Sequence, residues 1–419
     1  MKFFIRNFAA LLLLTFLFQS CLKDKCTQTF KVYRPVLKTK QEVRNNIKTK
    51  APQPLQQPGK LTLFGNYIYL NEPEKGIHII DNANPSQPRN TGFIEIPGNV
   101  DIAIRGNILY ADLYDELVSI DISNPLNVQL KNTVLRAFPE RFFTNGFTSD
   151  TSVFIVGWTA KDTTVNLNCT GGRAEAQFDD IALRNTGAFS NIAAAGAPVV
   201  TGINGSMARF TLLNDFMYTV SNTQLQVFSL LNAEQPQRVN TVNLGWGIET
   251  IYPFRNNLFI GSQTGMFIYG TQNPALPNAL GAFTHAFACD PVVADDMYAY
   301  VTLRNGTTCR NTAVNQLDVI DVQNLQRPFL IKSYPLTNPK GLSKDGNILF
   351  VCDGRDGVRV FDATWPYSLK QTFHFKGIET YDVIAWNGNA IVVSKEALIQ
   401  YNYTNPAAIT ERSRLTIQK

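Results

Sequence analysis

Charge is scarce in this chain: Asp, Glu, Lys and Arg make up 17% of its residues, against roughly 25% in ordinary soluble domains. Histidine occurs only three times, and the six cysteines follow no zinc-site spacing, so nothing supports a zinc centre. The nucleophile elbow Gly-x-Ser-x-Gly is absent; Gly202-Ile203-Asn204-Gly205-Ser206 comes nearest and lacks it. Gly171-Gly172-Arg173 is not followed by Gly-Lys-Ser/Thr, which removes the phosphate loop. No apolar run reaches the ~20 residues of a membrane-spanning helix, and the 3.6-residue periodicity of helical solenoids is missing from the body.

What charge there is lies unevenly. Residues 1–60 hold 12 Lys/Arg against two acids, Asp24 and Glu42, and the remainder holds 26 bases against 31 acids. The net charge of +5 therefore belongs to the N-terminal arm. A mildly acidic body without clustered Lys/Arg is a poor match for phosphate backbones, so nucleic acid is not an expected partner.

Met1 to Ser20 reads as an export signal, with Lys2 and Arg6 ahead of an apolar stretch from Phe8 to Phe18. Leu17-Phe18-Gln19-Ser20-Cys21 resembles a lipobox, which implies a bacterial lipoprotein whose Cys21 carries acyl chains. Each buried CH₂ contributes about 0.8 kcal/mol, so two or three chains hold a protein to a membrane durably. Residues 21–59 are then expected as a basic tether closed by Pro52, Pro54 and Pro58, with a short helix over Gln41 to Ile47. The expected location is the bacterial outer membrane, with the periplasmic and surface faces both open.

The body, 60–419, repeats one pattern at about 41 residues. A short apolar run, a Gly-Asn turn and a second apolar run begin each copy, as in Gly65-Asn66-Tyr67-Ile68-Tyr69 and Gly346-Asn347-Ile348-Leu349-Phe350. Eight starts are countable, at Gly65, Gly106, Asp150, Asp215, Asn256, Asp296, Gly346 and Gly388. Each copy later closes an alternating strand on Asp, then Asn-Pro: Gly76 to Asp81 with Asn84-Pro85, and Leu117 to Asp121 with Asn124-Pro125. Asp and Asn tie nearby backbone N–H groups, and Pro cannot continue a ladder. Four short strands per copy predict an all-β fold, a single β-propeller of four-stranded antiparallel blades. Eight blades are favoured; seven stays open, because the copy at Asp150 lacks the Asp…Asn-Pro ending.

These strands, with Leu317-Asp318-Val319-Ile320-Asp321, resemble the LVIVD-repeat family of bacterial and archaeal surface proteins. The resemblance implies a β-propeller at the cell envelope and no defined activity.

Candidate sites are few. Cys289 and Cys309 flank one copy and are expected to form a disulfide closing a loop of about twenty residues. Cys26 with Cys169 is a second pairing, and Cys352, in mid-strand, reads as a buried thiol. Aligned on their inner strands, Asp101, Glu249, Asp290 and Asp382 share one register, with Lys340 and Arg209 there in other copies. Converging at a channel mouth, they would perturb one another's ionisation or hold a polar ligand or a cation such as calcium. The alternative is that they satisfy neighbouring backbone. The insertion 159–205 reads as a partner-contact loop or plain disorder. The expected function is a non-enzymatic envelope scaffold that binds a protein partner. A carbohydrate- or ion-binding module and a polysaccharide lyase or hydrolase are the alternatives. The histidines, and the four tryptophans apart from a sugar platform, read as structural.

Overall fold

A computed structural model describes residues 26–139, 152–167, 200–285, 291–305 and 314–418. The export signal, Cys21, Cys169, Cys289, Asp290 and Cys309 lie outside the described residues, and so do the two disulfides expected among them.

The chain divides into two compact units, one of Met1–Leu37 with Ile155–Ala188 and one of the remainder. In the first, the strand Cys26–Thr39 pairs with the strand Val153–Leu167 as a two-stranded ribbon. Thr29 and Thr164 share a hydroxyl hydrogen bond of 3.0 Å across it. Phe30, Tyr33 and Leu37 stay exposed along the ribbon.

The second unit is a β-propeller with seven blades, not eight. They span 61–95, 102–134, 210–243, 248–284, 292–335, 342–375 and 380–416, each a four-stranded antiparallel meander of continuous chain. The count falls short at the copy that lacked its Asp…Asn-Pro ending. Its one described strand, Val153–Leu167, pairs with the N-terminal strand and builds no blade.

The repeat residues do the local work expected of them. In blade 1 the Asp81 carboxylate accepts from Ala83 N at 3.0 Å and Asn84 Oδ1 from Ser86 N at 3.1 Å. Asp121 with Asn124, and Asp321 with Asn324, repeat this double turn. The first hairpin needs a left-handed residue, supplied by Gly65, Gly106 and Gly346, and by Asn214 and Arg255 where glycine is missing. A register shift interrupts the pairing of third and fourth strands in all seven blades, giving each outer strand the extra twist of a bulge. Adjacent blades bury apolar side chains between their faces, as Tyr218, Val227 and Leu225 do against Ile251, Leu258 and Ile260.

The expected tether does not end where it was placed. Lys40–Asn45 forms a helix, capped by a reciprocal Thr39–Glu42 box. Arg44 grips Glu116 of blade 2 with Nε–Oε2 at 2.8 Å, and Lys40 lies 3.1 Å from Asp115. Thr49–Lys50 then adds to the outer strand of blade 1, where Lys50 pairs with Glu95. Leu55 is buried in the seam of blades 1 and 7, and its carbonyl accepts from Gln418 N at 2.7 Å. Residues 40–58 thus strap blades 2, 1 and 7 together. The basic residues read as solvated have carboxylate partners that lie far away in sequence.

Glu116 is fully buried, and its cations come from this strap. Replacing Lys40 and Arg44 together by Ala strands a buried carboxylate and should cost about 3–5 kcal/mol in urea unfolding. A loss below about 0.5 kcal/mol, the level of ordinary surface substitutions, would mean that the strap contributes nothing to the folded ring.

Candidate functional site

Inner strands of a propeller ring a central channel. Here that channel holds the protein's own chain. Ile203 and Asn204 pair antiparallel with Leu63 and Thr62, the inner strand of blade 1. On the other side Gly202 N donates to Ile104 O at 2.7 Å, and Gly106 N donates to Val200 O at 2.7 Å, both in blade 2. The segment therefore runs from the turn end of the inner strands towards their beginnings. There Ser206 Oγ accepts from Leu342 N of blade 6 at 2.8 Å, and Ala208 O accepts from Ile251 N of blade 4 at 2.9 Å. A side chain does not fit at Gly202, where a Cβ would stand 2.8 Å from Thr62 Cγ2 and 3.2 Å from Ile104 Cβ.

Two of the residues read from the sequence meet at the head of this plug. Asp382 opens into blade 7 and is 2% exposed, with its carboxylate set between the Cα atoms of Gly205 and Gly341. One oxygen accepts from Val383 N at 2.9 Å; the other, Oδ2, has no hydrogen-bond partner among the described residues. Burial pushes this carboxyl up to about 7, and the nearby Asp101 charge adds to the rise. Val383 N–H, Lys60 and Ser206 oppose it. Asp101 Oδ2 takes Lys60 Nζ at 2.7 Å, Phe210 N at 3.3 Å and the backbone N–H of Arg209. Its Oδ1 accepts from Ile102 N at 2.8 Å. Burial pulls the Lys60 ammonium below its ordinary range, and the charge of Asp101 works against that fall. With its oxygens taken by an ammonium and three N–H groups, Asp101 is a poor calcium ligand. Among the described residues no three His, Cys, Asp or Glu side chains are grouped to hold a metal ion.

Of the other register residues, Arg209 joins the pair through its backbone N–H, while Glu249 and Lys340 are held elsewhere. Glu249 accepts from Gln263 Nε2 at 3.1 Å. Lys340 faces Glu379 at 3.9 Å and lies 4.1 Å over the Tyr381 ring. Arg209 lines an open cavity of about 210 Å³ with Asp101, Asp112 and Tyr114 between blades 2 and 3. Ligand pockets for drug-sized molecules begin near 300 Å³, so the cavity is small for one.

Sequence reading missed Lys60 and Ser206. Lys60 directly precedes its inner strand, as Asp101 and Arg209 do theirs, so the shared register was the signal that could have found it. Its place at the end of a basic, Pro-rich run concealed it. Ser206 carries no such mark, since nothing in an irregular insertion announces a return through the channel. Of the insertion 159–205, residues 168–199 lie outside the described residues.

The remaining candidates are structural. Cys352 is buried, and burial drives its thiol far up, away from a nucleophile. His78 is fully buried rather than part-exposed: it shares a 2.8 Å hydrogen bond with Glu72, and its ring packs on Phe93. His374 donates to Asp356 O at 2.7 Å. Trp246, Trp365 and Trp386 are exposed, contrary to the packing role expected of them. Trp246 precedes an inner strand whereas Trp386 ends one, so the two sit at opposite ends of the ring and form no common platform.

Asp382 supplies a pH test. Its folded value near 7 lies above the ordinary 3.8, so folding favours the protonated form. Stability should therefore fall as pH rises from about 4 to 7, by at most about 1.4 kcal/mol per pH unit for this one proton, and level off above. Asp382→Asn should remove that slope in urea titrations at pH 5, 6, 7 and 8. Parallel curves for the two proteins would contradict the assignment.

Comparisons with known proteins agree with this architecture. Residues 59–93 and 98–135 match the LVIVD repeat model, one match for each of blades 1 and 2. No curated protein matches the sequence. Among solved structures, the computationally designed Ika8 protein is similar at 8% identity and a TM-score of 0.51, covering 86% of this chain and 89% of its own. A protein from Lactobacillus plantarum is similar at 11% identity and a TM-score of 0.51, covering 80% and 88%. PorZ, a bacterial surface component of the type-IX secretion system of Porphyromonas gingivalis, gives 10% identity and a TM-score of 0.48, over 88% of this chain and 39% of PorZ. The first two of these likenesses speak for the fold alone. The chain is a seven-bladed β-propeller that carries LVIVD repeats in its first two blades.

Proposed function

We propose that this protein is a non-enzymatic scaffold, held at the bacterial outer membrane by lipid on Cys21, that binds a protein partner through one face of its propeller. The observation that carries the reading is a set of exposed apolar side chains repeated at one end of the ring. At the end where each inner strand turns into the next, Leu126, Leu231, Leu276, Met297, Trp365 and Trp386 are all exposed. Leu126, Leu231, Leu276 and Trp365 occupy the same third-to-fourth-strand turn in blades 2, 3, 4 and 6. Those turns are locked by Asp and Asn side chains, so ordering them on binding costs little entropy. A repeated set of rigid apolar studs matches the anchors of protein interfaces, where exposed Trp and Leu fill partner pockets.

Other facts fit a binding protein. Residues 200–204 fill the channel beside the inner strands of blades 1 and 2, and the buried Asp101 is taken up by Lys60 and backbone N–H groups. Among the described residues no helix is long and apolar enough to cross a membrane. Attachment through Cys21, which lies outside the described residues, accounts for a membrane location without one.

Capture from cross-linked, detergent-solubilised envelopes should return one partner at near-equal amounts. A Leu231→Glu, Leu276→Glu, Trp365→Ala variant that keeps its melting temperature should lose it. Recovery of the chain alone, or undiminished capture by the variant, would sink the scaffold reading. Labelled palmitate should enter the wild-type protein and not Cys21→Ser; equal labelling would remove the anchor.

A further inference from the structure

The end of the ring opposite the apolar studs carries a different chemistry. The mouth carboxylates Asp101 and Asp382 are buried, one tied to Lys60 and the other beneath the plug. Positive charge across blades 5 to 7 is less fully answered. Glu379 stands 3.9 Å from Lys340 Nζ, 3.7 Å from Arg355 Nε and 3.5 Å from Lys395 Nζ. One carboxylate thus serves three cations. Glu396, the next acid, is engaged with the Glu379 backbone N–H at 3.3 Å.

A fourth cation completes the group. Thr302 Oγ1 donates to Lys340 O at 2.6 Å, which fixes the end of a blade 5 strand beside the entry to blade 6. Arg304 follows two residues later, and side chains two apart in extended chain share a side. Its Nε is buried without a hydrogen-bond partner among the described residues. Burial holds both Arg304 and Lys340 below their ordinary ranges. The charge of Arg304 adds to the fall at Lys340, which Glu379 counters, while Glu249 counters the fall at Arg304. Two desolvated cations side by side, one with an idle donor, are stabilised by an added anion more than by water. Arg355 and Lys395 stand exposed above them, placed to draw an anion in.

We propose that this mouth is an anion-binding site for a carboxylate or phosphate group carried on a small polar ligand. Arg304 and Lys340 are its half-buried donors, Arg355 and Lys395 its outer ones, and the Tyr381 ring beneath Lys340 its apolar flank. The register residues were expected to hold a polar ligand or a cation; of the two, an anionic polar ligand is what this cluster of cations fits. The site lies on the face away from the studs, so it stands or falls independently of the partner reading.

The test is calorimetric titration and thermal melting of the full chain. Inorganic phosphate and oligogalacturonate are used separately, at ionic strength held constant with sodium chloride. At least one should bind and raise the melting temperature above the chloride reference. Phosphate alone would assign a phosphoryl ligand, and oligogalacturonate alone an acidic sugar. The Arg304→Gln, Lys340→Gln variant should weaken binding about tenfold or more, a loss of 1.4 kcal/mol per tenfold, while Lys332→Gln on an outer strand leaves it unchanged. Should the double variant not fold, the exposed pair Arg355→Gln, Lys395→Gln should weaken binding several-fold. Behaviour identical to chloride for both anions, or full affinity in a folded variant of either pair, would overturn the site.

Discussion

Every feature of this molecule depends on closing a ring of blades that exchange no strand. Each blade is one continuous stretch, so among the described residues no strand pairing joins the last blade to the first. The joint is made by apolar burial. Leu61, Ile68, Leu70 and Ile80 of blade 1 meet Ile384, Ile391, Val393 and Leu398 of blade 7, with Leu55 from the N-terminal strap and Ile417 from the C-terminus. A fully buried side chain of this size contributes about 1.5–3 kcal/mol, against the entropy of holding both ends of the chain. Hydrogen bonds from Gln400 to Asn82 and from Ser413 to Pro85 O, each 2.6 Å, set the register of the two surfaces. The strap adds an outer clasp, because its helix seats on blade 2 and its later residues reach the blade 1–7 seam. A ring that opened here would lose its channel, its mouth and its studded face together.

The parts of this fold that sequence discloses are those governed by local chemistry. Gly65, Gly106 and Gly346 mark hairpins because a left-handed residue is required there. Asp121 and Asn124 mark strand ends because their oxygens reach the N–H two residues on. These signals recur at each blade and reveal the propeller. They overcount it because Asp150 also precedes an apolar run, Val153 to Val156, and only partner choice, a long-range matter, sends Val153–Leu167 to the N-terminal strand. The strap was hidden for the same reason: Lys40 and Arg44 belong to a basic run expected as tether until Asp115 and Glu116 stand beside them. The candidate site was half legible. The register of Asp101 and Asp382 located the mouth, whereas their neutralisation by Lys60 and the plug depends on contacts more than forty residues apart.

The charge pattern of the mouth follows from how the channel is filled. A chain segment lying between the inner strands of blades 1 and 2 must be thin, hence Gly202 and Gly205, and must satisfy its own backbone, which it does by pairing with both. Its head presses on Asp382 and excludes the water that would solvate a carboxylate, so that group prefers its proton near neutrality. On the blade 1–2 side the acid Asp101 was given an ammonium and backbone donors. On the blade 6 side the plug's Ser206 takes Leu342 N, and burial holds the nearby Lys340 and Arg304 below their ordinary ranges.

Chain direction explains why the two ends of the ring differ at all. In an antiparallel four-stranded blade, the first-to-second and third-to-fourth turns lie at one end. These are short, repeat-encoded and held by Asx bonds, so they carry rigid single side chains such as Leu231 and Trp365. The second-to-third loops and the links between blades lie at the other end, where length is unconstrained by the hairpin and charged side chains can gather around the channel. Arg304, Lys340, Arg355 and Lys395 all stand in such connections or at their edges. A propeller built from this repeat therefore separates a rigid apolar face from an adaptable charged one before any ligand or partner is considered.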